Sequence, residues 1–154
     1  MARVVAAITD EVRPISGLSE ARDTAVEKAS GFPLLMVYPR AGFWRPGTAA
    51  GGRGADNVPM RWGTHAITVA VHVARRDLPF DIQMVMNFAD SVPNALLHGY
   101  DRDKFAQTVV CLSDPNNRGG TAPITYEFGP GAIGAVDTVA LTFSLDVTVE
   151  EEIT

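Results

Sequence analysis

Cysteine is almost absent from this sequence, and so are the motifs in which nucleophilic side chains usually occur. Cys111 is the single cysteine among 154 residues, so no disulfide can form within the chain and nothing requires an oxidising compartment. It lies between Val110 and Leu112 with no neighbouring base, a pattern typical of a buried free cysteine rather than of a reactive thiol. The sequence contains neither a G-x-S-x-G nucleophile elbow nor a phosphate-binding loop. We therefore expect no enzymatic activity, no catalytic residues and no cofactor.

Histidine is scarce as well and occurs at His65, His72 and His98. The first two lie seven residues apart on one predicted strand and therefore on opposite faces, where they cannot bind the same metal ion. We interpret them as surface or edge histidines and expect no metal site.

A basic excess and a long apolar run are also missing. The formal net charge of −5 argues against general nucleic-acid binding, which usually requires a surplus of Lys and Arg. No apolar run approaches the ~18 residues of a membrane helix, and Asp10 and Glu11 interrupt the N-terminal run too early for a signal peptide. With 46% hydrophobic and 20% charged residues, the composition fits one globular domain over 1–154. We expect a soluble protein that is made in the cytoplasm and contacts no membrane.

Residues 62–97 form the most strongly patterned stretch, and the rest of the chain is organised around them. Within it, residues 62–74 predict a strand, because β-branched residues from Ile67 to Val73 occupy one face and small or polar residues the other. Pro79 then fits the first turn of a helix, where Asp77 and Asp81 are stabilised by the helix dipole. Apolar residues recur at helical spacing and predict one amphipathic helix: Ile82, Val85, Met86, Ala89, Val92, Leu96 and Leu97.

Residues 136–150 carry the longest alternating pattern in the chain. At ~3.3 Å per residue such a strand spans roughly 40 Å or more, which is longer than a usual strand. We therefore expect part of it to project past the core or to pair with a neighbour, and residues 150–152 to end it in water. The residues predicted to face the core are Val139, Leu141, Phe143, Leu145, Val147 and Val149.

Shorter patterns complete the predicted fold. Residues 2–13 predict a helix that ends at Pro14, and residues 33–38 predict a buried strand that ends at Pro39. Residues 19–28 fit a short helix, a loop or an edge strand. Further strands are predicted over 105–112 and 124–128, and turns over 113–120 and 129–134.

Strands and helices do not alternate regularly along the chain. This order favours an α+β fold, with an antiparallel sheet of about four or five strands and with helices packed on one face.

Residues 39–61 have no hydrophobic period and contain five Gly, three Pro and four Arg. A loop of this length within a compact domain is usually functional or disordered. We predict a long β-hairpin arm with Gly51–Gly54 near its tip. Because Trp and Arg dominate interface hot spots, the arm is a candidate protein interface. Its candidate residues, with the adjoining tryptophan, are Arg40, Phe43, Trp44, Arg45, Arg53, Arg61 and Trp62.

Two other interpretations of this cluster remain. The aromatic rings and arginines could stack on bases and pair with phosphates, although the acidic net charge argues against this. The arm could also be a solvated hairpin with both tryptophans packed on the core.

Three stretches share a pattern that goes beyond these local signals: LLMVYPRAGFW, then WGTHAITVAVHVARRDLPFDIQMVMNFADSVPNALL, then ITYEFGPGAIGAVDTVALTFSLDVTVEE. An apolar strand ends in Tyr-Pro, a His-x-Ile-x-Val-x-Val-His-Val strand follows, Arg-x-Asp-Leu-Pro starts a helix, and a Gly-rich turn precedes a long alternating strand. This pattern resembles minor tail proteins of long-tailed bacteriophages, most closely the tail terminator, or tail completion, family. The resemblance covers the chain from about residue 33 onward, and its motifs are structural rather than catalytic.

The resemblance implies a structural virion protein that assembles into a homohexameric ring, held by edge-strand pairing or by exchange of the arm. The ring would cap the tail tube and join it to the head connector. Expected partners are other copies of the chain, the tail tube protein, the head–tail connector or stopper protein, and genomic DNA passing through the lumen without sequence-specific binding. Assembly would take place in the host cytoplasm and the final location would be the virion tail. On this view Asp146 and Glu150–Glu152 line the lumen and do not hold the DNA.

Two alternatives stay open at this point. The chain could be another head–tail joint or a tail tube protein, which has a similar plan of sheet and helix. It could also be a small-molecule enzyme or binding protein that uses residues 39–61 as a lid. The mass of the native particle separates a ring from a small enzyme.

Overall fold

The computed structural model describes residues 1–48, 51, 57–101, 109–111 and 124–153. Its helices are α1 (Ala2–Val12), α2 (Leu78–Met86) and α3 (Phe88–Asp101). Its strands are β1 (Glu20–Arg22), β2 (Leu34–Gly42), β3 (Arg45–Pro46), β4 (Met60–Ala74), β5 (Val109–Cys111), β6 (Thr125–Ile133) and β7 (Val136–Glu152). All of these strands join one sheet, so the predicted α+β fold is confirmed.

The sheet is built around the antiparallel pair of β4 and β7. The two strands stay in register from Met60 opposite Glu152 to Ala74 opposite Thr138. On the other side of β4 lie β2 and β3, and on the other side of β7 lie β6 and β5, all antiparallel. At one edge β1 runs parallel to β2. The four long strands form the sheet that the sequence predicts, and three short strands extend its edges.

The helices pack on one face of this sheet and form the main core with it. The alternation predicted for β4 and β7 is confirmed, because their odd-numbered apolar residues lie in this core. From the strands come Leu35, Val37, Ile67, Val69, Val71, Val73, Val139, Leu141, Phe143, Leu145, Val147 and Val149. From the helices come Val4, Val5, Ile8, Val12, Val85, Phe88, Val92 and Leu96.

The opposite face of the sheet is covered near β2 by the segment that precedes that strand. A second, smaller core lies there and consists of Leu34, Met36 and Ile133, with Val26, Ala29 and Phe32 packed against it. Farther along β4 and β7 this face carries small and polar residues, among them the half-buried Thr64 and the exposed Asp146.

The predicted single helix is in fact two helices that meet at Asn87. Sequence periodicity could not reveal the break, because the buried stripe continues across it at Val85, Phe88, Val92 and Leu96. Intervals of three and four residues read as one continuous helix even when the axis changes direction.

β2 and β6 extend past the ends predicted for them, and each runs through a proline. β2 passes Pro39 and shifts its register between Pro39 and Ala41, at a place where no β1 residue pairs with it. β6 runs through Pro130 and covers most of the predicted turn over 129–134. Proline is tolerated at bulges and on edge strands, where a missing N–H need not interrupt the ladder. The tight turn itself lies at Gly134, whose φ is +57°.

Residues 19–28 hold the short edge strand β1 and irregular chain rather than a helix. The strand predicted over 105–112 appears as β5 in its described part, and the rest of it lies outside the described residues, as does the turn over 113–120. None of the helices in the described ranges is long and apolar enough to cross a membrane.

Candidate functional site

The candidate interface lies at one end of the sheet, in the hairpin that β2 and β3 form with the start of β4. We call residues 43–48 and 57–62 the hairpin end. Backbone hydrogen bonds hold its two sides together: the Phe43 amide donates to the Thr64 carbonyl at 3.2 Å, and the Gly47 amide donates to the Met60 carbonyl at 2.7 Å. The predicted arm is therefore a hairpin with paired strands in its described part, and its remaining residues, Arg53 among them, lie outside the described residues.

One side of the hairpin end, which we call the outer face, carries Phe43, Arg45 and Trp62. The rings of Phe43 and Trp62 meet edge to face, with 5.8 Å between their centroids. The Arg45 guanidinium carbon lies 5.1 Å from the Phe43 centroid and 5.9 Å from the Trp62 centroid. Phe43 is 43% exposed, and Arg45 is exposed as well. A cation packed over two aromatic rings on the surface is a preformed contact of the kind found at interface hot spots.

The other side, which we call the inner face, carries Trp44, Arg61 and His65 and adjoins the main core. Trp44 is half-buried and packs against that core. Its ring lies 4.6 Å from the His65 ring, centroid to centroid, and the Arg61 guanidinium carbon lies 4.4 Å above the Trp44 centroid. The two tryptophans therefore differ in role, since Trp44 supports the fold while Trp62 belongs to the outer face.

Glu151 on β7 holds Arg61 in place over Trp44. Arg61 Nε donates to Glu151 Oε1 at 2.7 Å, and Arg61 Nη2 donates to the same oxygen. The Met1 ammonium group lies 3.9 Å from Glu151 Oε2. The expectation that residues 150–152 end the strand in water is thus wrong, because all three still pair with β4 and Glu151 is in an ion pair.

Two glycines allow the strands to come this close. A Cβ on Gly63 would lie 1.8 Å from the Phe43 carbonyl oxygen, and a Cβ on Gly42 would lie 2.2 Å from His65 Nδ1. Both positions exclude any side chain, because real Cβ atoms essentially never come within 3.0 Å of such atoms. Local sequence patterns gave no sign of these contacts, since each joins residues from different strands.

The interpretation of His65 and His72 as surface or edge residues is wrong. Their exposed fractions are 6% and 8%, and burial lowers the pKa of each. His72 Nδ1 lies 2.8 Å from Thr138 Oγ1, so that ring has a hydrogen-bond partner. The two side chains do point to opposite faces of β4, as predicted. His65 has an odd number, as the buried Ile67 and Val69 do, so strand alternation indicated that it faces the core. Its polar side chain obscured this signal.

Of the predicted interface residues that the structure describes, five lie in the hairpin end, namely Phe43, Trp44, Arg45, Arg61 and Trp62. Glu150 adjoins it, whereas Arg40 and Asp146 lie apart. Glu150 stands opposite Trp62 in register, and Arg40 is exposed at the register shift in β2. Asp146 lies one strand away, opposite Ala66 and toward the middle of the sheet. The sequence analysis missed His65, Glu151 and the two glycines.

Outside the hairpin end, a cleft of about 390 Å³ lies between residues 29–32 and the start of α2. Its most polar buried group is Asp81, whose Oδ2 accepts hydrogen bonds from the backbone amides of Arg76 at 2.7 Å and Asp77 at 2.8 Å. These bonds account for the buried carboxylate as part of the helix start. Across the residues that the structure describes, no three His, Cys, Asp or Glu side chains are grouped in a way that could hold a metal ion.

No family model matches this chain, and no curated protein is significantly similar to it in sequence.

Proposed function

We propose that this protein is a structural subunit that assembles with copies of itself into a ring, as a tail terminator of a long-tailed bacteriophage does. In this role it caps the tail tube and joins it to the head connector, without catalysing a reaction. The sequence pattern described above supports the phage assignment. The outer face of the hairpin end supports the self-assembly.

The outer face is the single observation that carries the proposal. Phe43, Arg45 and Trp62 are packed against one another at the end of a hydrogen-bonded hairpin, where Phe43 and Arg45 are exposed and Trp62 is half-buried. Because strands rather than a free loop hold them, little side-chain freedom is lost when a partner docks. Exposed aromatic rings and arginine are the residue types that contribute most to binding.

The position of this face favours a ring over a symmetric dimer. The hairpin end lies at one end of β4, while the start of α2 lies at the other end of the same strand. A surface at one end of the central strand pair fits a head-to-tail contact with a different surface on the next copy. Such contacts form a closed ring when the rotation between copies divides a full turn.

The acidic residues support a second part of the proposal, a lumen that does not hold DNA. Asp146 is exposed on the face of the sheet opposite the helices, and Glu150 stands opposite Trp62 on that same face. Carboxylates on a channel wall repel the phosphate backbone and allow it to slide.

Charge reversal at the outer face tests the proposal. We expect the purified chain to form a particle of about six times its own mass, and Arg45→Glu to reduce that mass to the single chain. The matched control is Arg13→Glu, which makes the same change at an exposed arginine that follows α1 and lies beside β1, at the edge of the sheet. Light scattering coupled to size exclusion measures the mass, and circular dichroism confirms that both variants fold.

The same measurement separates the alternatives. Long polymers in place of a closed particle would favour a tail tube protein. A single folded chain at all concentrations, with a small molecule bound beneath residues 39–61, would favour the enzyme or binding protein and contradict the ring. An Arg45→Glu particle of unchanged mass would exclude the outer face as the contact.

A further inference from the structure

His65 lies in a confined site at the base of the hairpin end. Only 6% of the residue is exposed, and its Nε2 atom is buried without a hydrogen-bond partner among the described residues. Trp44 covers the ring, and the backbones at Gly42 and Gly63 approach it so closely that neither position has room for a Cβ. In a neutral imidazole Nε2 can remain an unprotonated acceptor, and a buried lone pair is less unfavourable than a buried N–H donor without a partner.

Charged groups from three elements surround this ring. Arg61 comes from β4, Glu151 from β7, and the Met1 ammonium group from the start of α1. Burial and the two cations lower the pKa of His65, and the Glu151 carboxylate opposes them. Glu151 already neutralises Arg61 and lies near the ammonium group, so it has little capacity left for a third cation. The charges of Arg45 and Glu150 belong to the outer face.

We propose that His65 is an acid-sensitive latch, and that protonation at Nε2 opens the inner face of the hairpin end and releases Trp44 from the core. A proton at this atom creates a charged N–H donor that is buried from solvent and has no acceptor among the described residues. Burying such a group is unfavourable, so the closed state loses stability until the ring reaches solvent. Trp44 is the neighbour that can move, because it is half-buried at the surface, whereas the other walls are backbone of paired strands.

The direction of the pH dependence follows from the lowered pKa. The open state has the ordinary histidine pKa of about 6.5 and therefore binds the proton more tightly than the closed state does. The stabilisation of the closed state is thus fully present above about pH 6.5 and is lost as the pH falls below that value. The latch is a property of the single chain, whereas its effect on assembly, through the shape of the hairpin end, rests on the proposed function.

His72 provides a matched control within the same strand. It is buried to a similar extent and burial lowers its pKa too, but its Nδ1 has the Thr138 hydroxyl as a partner and it lies on the other face of β4. A substitution that prevents protonation of His72 should leave the pH response of the Trp44 emission unchanged.

The experiment follows the emission maximum of Trp44 from pH 8 to pH 5. The chain has two tryptophans, so a Trp62→Phe background makes Trp44 the sole reporter. We expect a red shift with a midpoint below about pH 6.5, while far-ultraviolet circular dichroism keeps the signal of the sheet. His65→Gln should abolish the red shift, and His72→Gln should retain it.

Several results would overturn the latch. These are an emission maximum that does not move with pH, quenching without a red shift, a red shift that persists in His65→Gln, or one that disappears in His72→Gln.

If His65→Gln does not fold at pH 8, nuclear magnetic resonance of the background protein decides instead. The His65 Cε1–H and Trp44 indole N–H signals should then titrate with one midpoint, and separate midpoints would refute the proposal. Both readouts apply to a monomer as well as to a ring, so failure of the latch is distinct from failure of assembly.

Discussion

At Gly63 the Phe43 backbone approaches so closely that only glycine fits, and the structure of the hairpin end depends on this contact. The Phe43 carbonyl oxygen occupies the place of a Cβ, and His65 Nε2 lies 2.9 Å from the same position. Any side chain at residue 63 therefore pushes β4 away from residues 42–44. The separation of Trp44 on one face from Phe43 on the other follows from this approach.

Gly63→Ala should destabilise the protein by about 1–3 kcal/mol or more, because backbone atoms cannot move aside as a flexible side chain can. Gly129→Ala is the control, since a Cβ there meets nothing within 4 Å, and its effect should stay within about 0.5 kcal/mol. Urea unfolding measures both free energies. Equal values for the two variants would contradict the close approach.

Truncating Trp44 and Phe43 one at a time should distinguish a ring that stabilises the fold from a ring that belongs to the interface. Trp44→Ala removes a ring that packs on the core and on His65, so we expect a loss of roughly 2–4 kcal/mol in the free energy of unfolding. Phe43→Ala removes a ring that is 43% exposed, and its effect should stay near about 1 kcal/mol. Thermal or urea unfolding decides, and a larger loss at Phe43 would reverse the assignment of the two faces.

At the scale of elements, hydrophobic periodicity predicted which residues of a single strand or helix face the core. The odd-numbered residues of β4 and β7 were assigned to the core correctly, because alternation is a property of each strand alone. The prediction that a proline ends β2 failed, because whether Pro39 interrupts a ladder depends on a neighbouring strand that is distant in sequence. The glycine contacts were missed for the same reason, since they exist only after β2, β3 and β4 have paired. The burial of His65 was missed for another reason, because its polarity obscured the alternation that it shares with Ile67 and Val69.

The start of α2 provides a test at this scale. Asp77 precedes the helix but makes no capping bond with its side chain, whereas the buried Asp81 carboxylate accepts two backbone amides. Asp81→Ala should therefore lower the free energy of unfolding by about 1–3 kcal/mol, because two N–H donors lose their acceptor. Asp77→Ala should change it by less than about 0.5 kcal/mol. If urea unfolding gave the larger loss for Asp77→Ala, the capping role assigned to Asp81 would be wrong.

At the scale of the whole molecule, the two ends of the β4–β7 pair carry different surfaces. The hairpin end presents arginine over aromatic rings, and the opposite end presents the start of α2 and the turn between β6 and β7. The twelve residues 63–74 of β4 separate them, roughly 40 Å at ~3.3 Å per residue. A subunit with unlike ends is suited to head-to-tail contacts, and this shape connects the outer face to the proposed ring.

The most direct test of the ring is an electron-microscopy image of the purified protein, read for rotational symmetry. We expect closed particles with six-fold symmetry in which the hairpin end of each chain touches the next chain. Particles the size of one chain at high protein concentration, or closed particles whose hairpin ends point freely into solvent, would contradict the account.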